Sequence, residues 1–459
     1  MILLHGRFHP LSFGRYLKYG LVLCLLPLLN ALLQWDIQAL FSALWQNLFL
    51  MIFISAVSFF IYRASRFTIT PQELCIEQGV VLKRTAHLLR SGVTVAELRR
   101  TPLQRLLGAC EVTLYFKNAY PLKKYRLLLW KKDAGRLADI LFPVQDPPSG
   151  YTPGGADRLA LSLLSANFLT TVFFLFYTFQ QFGKIFGSQA WAFALAHFSE
   201  FEALVGLFVP AGLSLLASLI LLFSFFSLLR ALFKTFRFRT QRAGGLLLTS
   251  GGLFTHTSRR ILLSAVTVTD IRLTPAAFLL RRRPLYLEAG GFRGDDLPFL
   301  VCRPGEEAAV KSLLPFFTLP KDVPVQKRRP PVLFFWKPAL LTLCLLMLWT
   351  LALRAAPALA PPLALALTAS LVFIWVSHYA WRHEGFCRNQ NRTLSFFFGR
   401  RLTFHQVTCY THDIGFQIQQ TSRSAADGLC SLRLSLPSRR KLWARTVPFY
   451  LANQLKFIL

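Results

Sequence analysis

Acidic side chains are scarce in this sequence, and long parts of it carry no charge of either sign. The 459 residues include 52 Lys and Arg but only 21 Asp and Glu, which gives a net charge of +31. Asp, Glu, Lys and Arg are all missing from six stretches: 19–35, 37–62, 159–183, 203–229, 338–353 and 355–381. A helix needs about 20 apolar residues to cross the hydrocarbon of a bilayer. These stretches therefore exclude an ordinary soluble chain and predict six transmembrane helices.

The sequence also lacks the usual signs of catalysis and of metal or cofactor binding. Glycine-rich phosphate loops, nucleophile elbows and paired intramembrane acids are missing, so we expect no enzyme activity and no cofactor. The eight cysteines include no CxxC pair. His405, Cys409 and His412 would share a face only on a helix, whereas residues 402–412 are predicted to form a strand. We therefore predict no metal site.

The six predicted helices form three hairpins, which lie within residues 1–62, 151–234 and 326–382. Their outer loops, 34–40, 182–202 and 354–360, carry a net charge of −1, so the rest of the chain carries +32. Lys and Arg concentrate on the cytoplasmic side of membrane proteins. We therefore expect the N- and C-termini and all three polar segments to be cytoplasmic.

The polar segments that alternate with the hairpins are residues 63–150, 235–325 and 383–459. The first two align without a gap, since Thr101-Pro102 recurs 173 residues later as Thr274-Pro275. The third is more diverged, and its alignment depends on Thr421, Gly428 and Cys430. This pattern predicts one soluble unit that is used three times.

Each unit has the pattern of a small β domain that ends in a helix. Short β-rich runs in the first unit lie at 67–70, 73–76, 80–82, 93–98, 111–116 and 125–130. An amphipathic helix is predicted to follow, with Asp133 as its N-cap. The fold class is thus a membrane protein of mixed α and β structure, with three small barrels that are each closed by a C-terminal helix.

The phrase Arg100-Thr101-Pro102-Leu103-Gln104-Arg105-Leu106-Leu107-Gly108, followed by an alternating strand, resembles the bacterial pleckstrin-homology-like (PH-like) domain. The whole chain resembles multi-domain membrane proteins in which two-helix hairpins alternate with such domains. The resemblance implies a seven-stranded barrel with a C-terminal helix, a location in the bacterial inner membrane and no established catalytic activity. The second unit departs from the phrase by lacking its Gln and Gly, and the third keeps only Gly428.

Clusters of basic residues are the most repeated polar feature of the units. The residues that we predict to contact a lipid surface are Arg99, Arg100, Arg105, Lys123, Lys124, Arg259, Arg260, Arg281, Arg282 and Arg283. Each Lys or Arg near an anionic leaflet contributes about 1 kcal/mol of attraction. We expect a non-enzymatic membrane scaffold that binds anionic lipid headgroups or a partner protein, with no nucleic acid as partner. The alternative is a component of a membrane transport or export system.

Overall fold

The computed structural model describes a discontinuous set of residues: 3–14, 37–79, 83–117, 124–144, 146–147, 149–165, 192–193, 195–208, 214–294, 297–304, 307–314, 331–355, 360–388, 393–400, 403–410, 415–436 and 441–454. The predicted span 19–35 and most of the predicted span 159–183 lie outside these residues. So does the predicted strand 80–82.

The first unit consists of seven strands and three helices, and its strands and last helix share one core. Its strands are β1 (Leu4–Arg7), β2 (Arg66–Ile69), β3 (Glu73–Gln78), β4 (Arg84–Leu89), β5 (Val93–Arg100), β6 (Ala109–Phe116) and β7 (Lys124–Trp130). Its long first helix and its two later helices are α1 (Ile37–Ala64), α2 (Pro102–Leu106) and α3 (Lys131–Leu141). Apolar and polar residues alternate along β3, where Leu74 and Ile76 are buried and Glu77 is exposed. Leu137 of α3 is buried in the same core.

The helix α3 begins earlier than the sequence pattern predicts. Its N-cap is Trp130, and Asp133 lies in the first turn instead of at the cap. An acidic side chain in the first turn interacts favourably with the positive end of the helix dipole. This explains why the N-cap predicted at Asp133 lies three residues after the observed N-cap, Trp130.

The second and third units repeat this order of elements with local changes. The strands of the second unit are β8 (Ser149–Tyr151), β9 (Arg239–Ala243), β10 (Leu246–Gly251), β11 (His256–Leu262), β12 (Val266–Leu273), β13 (Arg283–Ala289), β14 (Phe292–Arg293) and β15 (Leu300–Cys302). Its helices are α4 (Gly155–Ser165), α5 (Ser214–Thr235), α6 (Pro275–Leu279) and α7 (Glu307–Leu313). Residues 195–206 are also helical.

The third unit follows two long helices, α8 (Pro331–Ala355) and α9 (Ala360–His383). Its strands are β16 (Gly385–Arg388), β17 (Thr393–Arg400), β18 (Thr403–Tyr410), β19 (Gly415–Gln419), β20 (Leu429–Ser435) and β21 (Lys441–Pro448). Two short helices complete it, α10 (Ser422–Ala426) and α11 (Phe449–Gln454). His405 and Cys409 lie on β18 and are buried, whereas His412 is outside the described residues.

The sheets of neighbouring units are continuous, which differs from the prediction of three separate barrels. One sheet has the order β7-β6-β5-β11-β10-β9-β8, so strands of the first unit continue into the second. Another has the order β14-β13-β12-β18-β17-β16, which joins the second unit to the third. An edge strand exposes unpaired backbone N–H and C=O groups. Here the neighbouring unit covers that edge, and we call the β5–β11 and β12–β18 contacts the first and second junctions.

Two helices among the described residues are long and apolar enough to cross a membrane, by length and composition. They are Ala217–Thr235 within α5 and Trp336–Ala355 within α8. The described residues therefore do not support the full set of six predicted spanning helices. The helix α9 packs along α8, and α4 packs along α5.

Paired strands bracket the first two of the predicted hairpins. The strand β1 precedes the first hairpin and pairs antiparallel with β2, which follows it. In the same way, β8 precedes the second hairpin and pairs with β9 after it. The sequence placed Ser149 and Gly150 at the end of the first domain and Tyr151 at the start of the second hairpin segment, but together they form the edge of the second unit's sheet. Both ends of each of these segments are held in one β-ladder.

The phrase that begins at Thr101 forms a one-turn helix, α2, that the sequence pattern did not predict. Thr101 is its N-cap and Pro102 its first residue, and Gln104 completes a reciprocal capping box with Thr101. The corresponding helix α6 keeps the Thr274 cap without a reciprocal partner, while Ser424 replaces Gln in α10. The turn is therefore retained in all three units even though the phrase is not.

The residue that ends this turn has a left-handed backbone in each unit. Gly108 has φ of 71° and Gly428 has φ of 66°, while the aligned residue of the second unit is Arg281, with φ of 49°. Only glycine adopts this conformation without steric cost. We expect Gly108→Ala to destabilise the protein by about 1–2 kcal/mol and Arg281→Gly to stabilise it by up to about 1 kcal/mol. Thermal unfolding of the detergent-solubilised chain measures both, and equal melting temperatures for Gly108→Ala and the parent would contradict this account.

Candidate functional site

A basic pocket lies at the first junction, between the first two units and the end of α5. Its volume is about 670 Å³, within the range typical of small-molecule sites. The residues that line it are Arg100, Arg105, Thr152, Arg158, Phe236, Arg237, Phe238, Arg239, Ser250, Gly252, Leu253 and His256. Five of these are arginines and none is acidic.

The pairing of β5 with β11 brings the first side of the pocket together. In this antiparallel ladder the last residue of β5, Arg100, pairs with the first residue of β11, His256. The chain then turns into α2, which places Arg105 on the same side. The capping box of α2 fixes that turn, so the position of Arg105 depends on local hydrogen bonds between Thr101 and Gln104.

The chain that leaves α5 forms the opposite side of the pocket. The backbone N–H of Gly252 donates to the carbonyl of Phe236 at 2.9 Å, and that of Leu253 donates to the carbonyl of Phe233 at 2.8 Å. The β10–β11 turn therefore holds the end of α5. Gly252 has φ of 105°, and a Cβ atom there would lie 2.0 Å from the Thr255 carbonyl oxygen. A side chain at this position is incompatible with the turn.

Two arginines on this side are held by polar contacts that leave part of each guanidinium available. Arg239 Nε donates to Ser250 Oγ at 2.9 Å, and Arg158 Nε donates to the Pro153 carbonyl at 3.0 Å. The start of α4 carries Arg158, and a buried 2.6 Å hydrogen bond between Ser162 and Thr235 ties α4 to α5. Both arginines are thus oriented by neutral acceptors, and their charge is not neutralised by these contacts.

The pocket is suited to a phosphate group or a similar anion. Arginine presents several N–H donors in a planar fork that matches phosphate oxygens. Burial lowers the pKa of the His256 imidazole below its ordinary value, and the positive charges of Arg100, Arg105 and Arg239 lower it further. These effects favour neutral His256, and a bound anion would favour the protonated form.

Of the ten residues predicted to contact lipid, Arg100 and Arg105 line the pocket. Arg99 and Arg281 are exposed, as is Lys124 at the start of β7. Arg283 is half-buried at the start of β13, and Lys123 lies outside the described residues.

The other three predicted residues form ion pairs within the chain. Arg260 contacts Asp139 at 2.6 Å, and Arg282 contacts Asp157 of α4 at 2.7 Å. Arg259 contacts Glu97 at 2.8 Å, and both of these side chains are largely buried. These arginines hold elements of the protein to one another, so the pocket is the stronger site for an external anion.

The pair Glu97–Arg259 is the polar centre of the first junction. Burial raises the pKa of the Tyr115 hydroxyl, and the Glu97 carboxylate raises it further. Tyr115 therefore stays protonated and donates to Glu97 Oε2 at 3.2 Å. The Arg259 guanidinium also lies 5.4 Å from the centre of the Phe292 ring.

Sequence reasoning missed four basic residues of the lining: Arg158, Arg237, Arg239 and His256. Basic residues that flank an apolar stretch were a usable signal for the three arginines, since such positions are typical of the ends of membrane spans. His256 gave no such signal, because only the pairing of β11 with β5 brings it to Arg100.

The second junction has apolar side chains where the first has basic ones. Its ladder pairs Leu273 with Phe404, at the positions of Arg100 and His256. Phe278, which aligns with Arg105, packs edge-on against the rings of Trp375 and Tyr379 of α9, each at 5.2 Å between centroids. The two junctions thus share a backbone arrangement, and the basic lining belongs to the first.

Comparison with known families bears on the first unit. Residues 21–143 match the family model for the bacterial PH domain. The match runs from the first apolar stretch through α3, so most of the first unit is similar to a bacterial PH domain. No curated protein and no solved structure gives a significant match to the chain.

The buried pair between the first and second units gives a stability prediction. Arg259→Ala leaves the Glu97 carboxylate buried without its partner, so we expect a loss of about 3 kcal/mol. Arg260→Ala removes a pair whose acidic partner, Asp139, is mostly exposed, and should cost about 1 kcal/mol or less. Thermal unfolding in detergent compares the two variants. Similar losses of stability in the two variants would show that the Glu97–Arg259 pair has no special role at the junction.

The depressed pKa of His256 gives a pH prediction. A bound anion favours protonated His256, so affinity for an anion should rise as the pH falls from about 7.5 through the ordinary histidine pKa of about 6.5. We expect a gain of roughly fivefold to tenfold by pH 5.5. Short-chain phosphatidylglycerol is a suitable probe because its phosphodiester does not titrate in this range. His256→Gln should abolish the gain, and an unchanged pH profile in that variant would contradict the assignment.

Proposed function

We propose that this chain is a non-enzymatic membrane scaffold whose cytoplasmic units bind anionic lipid headgroups at the inner leaflet, with the basic pocket as the principal site. In the full proposal, three hairpins supply six spans, both termini are cytoplasmic, and the three units are copies of one PH-like domain. Each hairpin then holds its unit within a few residues of the bilayer.

Membrane placement is supported by the surfaces of the two candidate spans. Most of the residues in Ala217–Thr235 and in Trp336–Ala355 are not buried by other described parts of the protein. Leu340, Leu343 and Leu351 of α8, for example, are exposed. Such a large apolar surface on one long helix is unfavourable in water, whereas acyl chains would cover it.

The observation that carries the proposal is the position of the pocket relative to a candidate span. Thr235 ends this span, and Phe236 and Arg237, the next two residues, line the pocket. A pocket directly beyond the end of a span lies at the depth of the lipid headgroups. Five arginines at that depth are suited to the phosphate of an anionic lipid.

Binding can be tested with the full chain in a zwitterionic detergent. Short-chain phosphatidylglycerol should raise the melting temperature of the parent protein, because a ligand that binds the folded state stabilises it. We expect the double variant Arg100→Gln, Arg105→Gln to weaken apparent binding by at least about tenfold, since each charged hydrogen bond contributes about 1.5–3 kcal/mol.

The matched control is the double variant Arg99→Gln, Lys124→Gln, which also removes two positive charges but from exposed positions outside the pocket. Equal losses of phosphatidylglycerol affinity in the two double variants would refute binding in the pocket and leave only general electrostatic attraction to the surface. A parallel measurement with inorganic phosphate distinguishes a lipid site from a site for the free anion. If phosphate alone raises the melting temperature as much at equal concentration, this would argue against a lipid ligand. Stabilisation by zwitterionic short-chain lipid to the same degree would refute headgroup selectivity.

A further inference from the structure

Two of the one-turn helices expose leucine side chains to an unusual degree. Leu106 at the end of α2 is 82% exposed, and Leu279 at the end of α6 is 86% exposed. The two residues are aligned, 173 positions apart in the chain. Leu103 of α2 is 62% exposed. A single exposed leucine needs no explanation, but aligned leucines on capped turns of two units do.

The surroundings of α6 show what lies beside Leu279. Its neighbour Phe278 packs edge-on against Trp375 and Tyr379 near the end of α9. The helix α9 runs along α8, whose candidate span begins at Trp336. Only residues 356–359 separate the two packed helices in the chain, so the helices must run antiparallel, and Trp336 and Tyr379 lie at the same end of the pair. Trp and Tyr gather at the membrane–water interface, so Leu279 lies at the depth of that interface.

The surroundings of α2 place Leu106 at an equivalent depth. Arg105, the preceding residue, lines the basic pocket together with Phe236, which directly follows the candidate span of α5. Trp130 lies next to the turn, since a Cβ atom on Gly108 would be 3.8 Å from its ring, and it is itself partly exposed. The α2 turn therefore offers leucines on its surface while its arginine faces the pocket.

We propose that α2 and α6 insert their exposed leucines among the acyl chains of the inner leaflet, so that each turn is a hydrophobic anchor of its unit. This inference depends on the membrane placement under the proposed function, but not on the binding of anions. The occupant of the leucine surface is lipid, because each turn lies beside the end of an apolar helix: α6 through the contacts of Phe278 with α9, and α2 through the pocket that Arg105 shares with Phe236. In the third unit, Ala426 and Asp427 of the corresponding turn supply no such anchor.

Photo-crosslinking in the full chain tests the proposal directly. A benzophenone-bearing phenylalanine replaces Leu106, Leu279 or Ala426 in separate variants, which are reconstituted in nanodiscs of pure phosphatidylcholine and irradiated. Ala426 is exposed and lies at the position aligned with Leu106 in the third unit, so it is the matched control. We expect lipid adducts, detected by mass spectrometry, at least about fivefold more often at 106 and 279 than at 426. A probe at Met347, which is exposed on the candidate span of α8, is the positive control for acyl contact.

The outcomes separate this proposal from the function on which it depends. One outcome is that lipid adducts form at position 347, but the yields at positions 106 and 279 do not exceed the yield at position 426. This outcome would overturn the anchors while leaving headgroup binding in the pocket intact. Adducts at 106 and 279 that consist of protein instead of lipid would overturn lipid as the occupant. No adduct at 347 would overturn the membrane placement itself. If the pocket variants bind phosphatidylglycerol as well as the parent does, headgroup binding in the pocket is refuted. The crosslinking result still stands in that case, because the nanodiscs contain no anionic lipid.

Discussion

The antiparallel pairing of β5 with β11 is the contact on which the rest of the site depends. A small sheet that ends in an open edge leaves backbone hydrogen-bonding groups unpaired, and the next unit satisfies them. The register of this ladder places Arg259 opposite Glu97 and His256 opposite Arg100. One ladder therefore produces both the buried ion pair that stabilises the junction and the first side of the basic pocket.

Backbone pairing explains the position of a site, whereas side chains decide its chemistry. The second junction uses the same edge-to-edge arrangement, and Val268 of β12 belongs to the core of the third unit just as Val95 of β5 belongs to that of the second. At this junction, however, the aromatic rings of α6 and α9 pack together where the first junction has arginines. A common framework thus yields an aromatic contact at one junction and a basic cavity at the other.

Much of the local structure could be predicted from the sequence, and most of the site could not. Alternating apolar residues identified β3 and β6 within a few residues, because that alternation is a local consequence of the pleat. The one-turn helix α2 was missed because a single turn is too short to show helical periodicity, although Thr101, Pro102 and Gln104 carried its capping signal. Arg259 has the same basic pattern as Arg100 in the sequence. The two kinds of arginine, one buried in an ion pair and one lining a pocket, can be distinguished only once the long-range strand pairing is known.

The strands that bracket the first two hairpins impose a parity rule on the chain. A β-ladder cannot form across a bilayer, so β1 and β2 must lie on the same side of any membrane that the protein enters. The chain between Arg7 and Arg66 therefore crosses an even number of times, or not at all, and the same holds between Tyr151 and Arg239. Insertion of a single extra span in either segment would separate the paired strands, and the edge of the corresponding sheet would be lost with them.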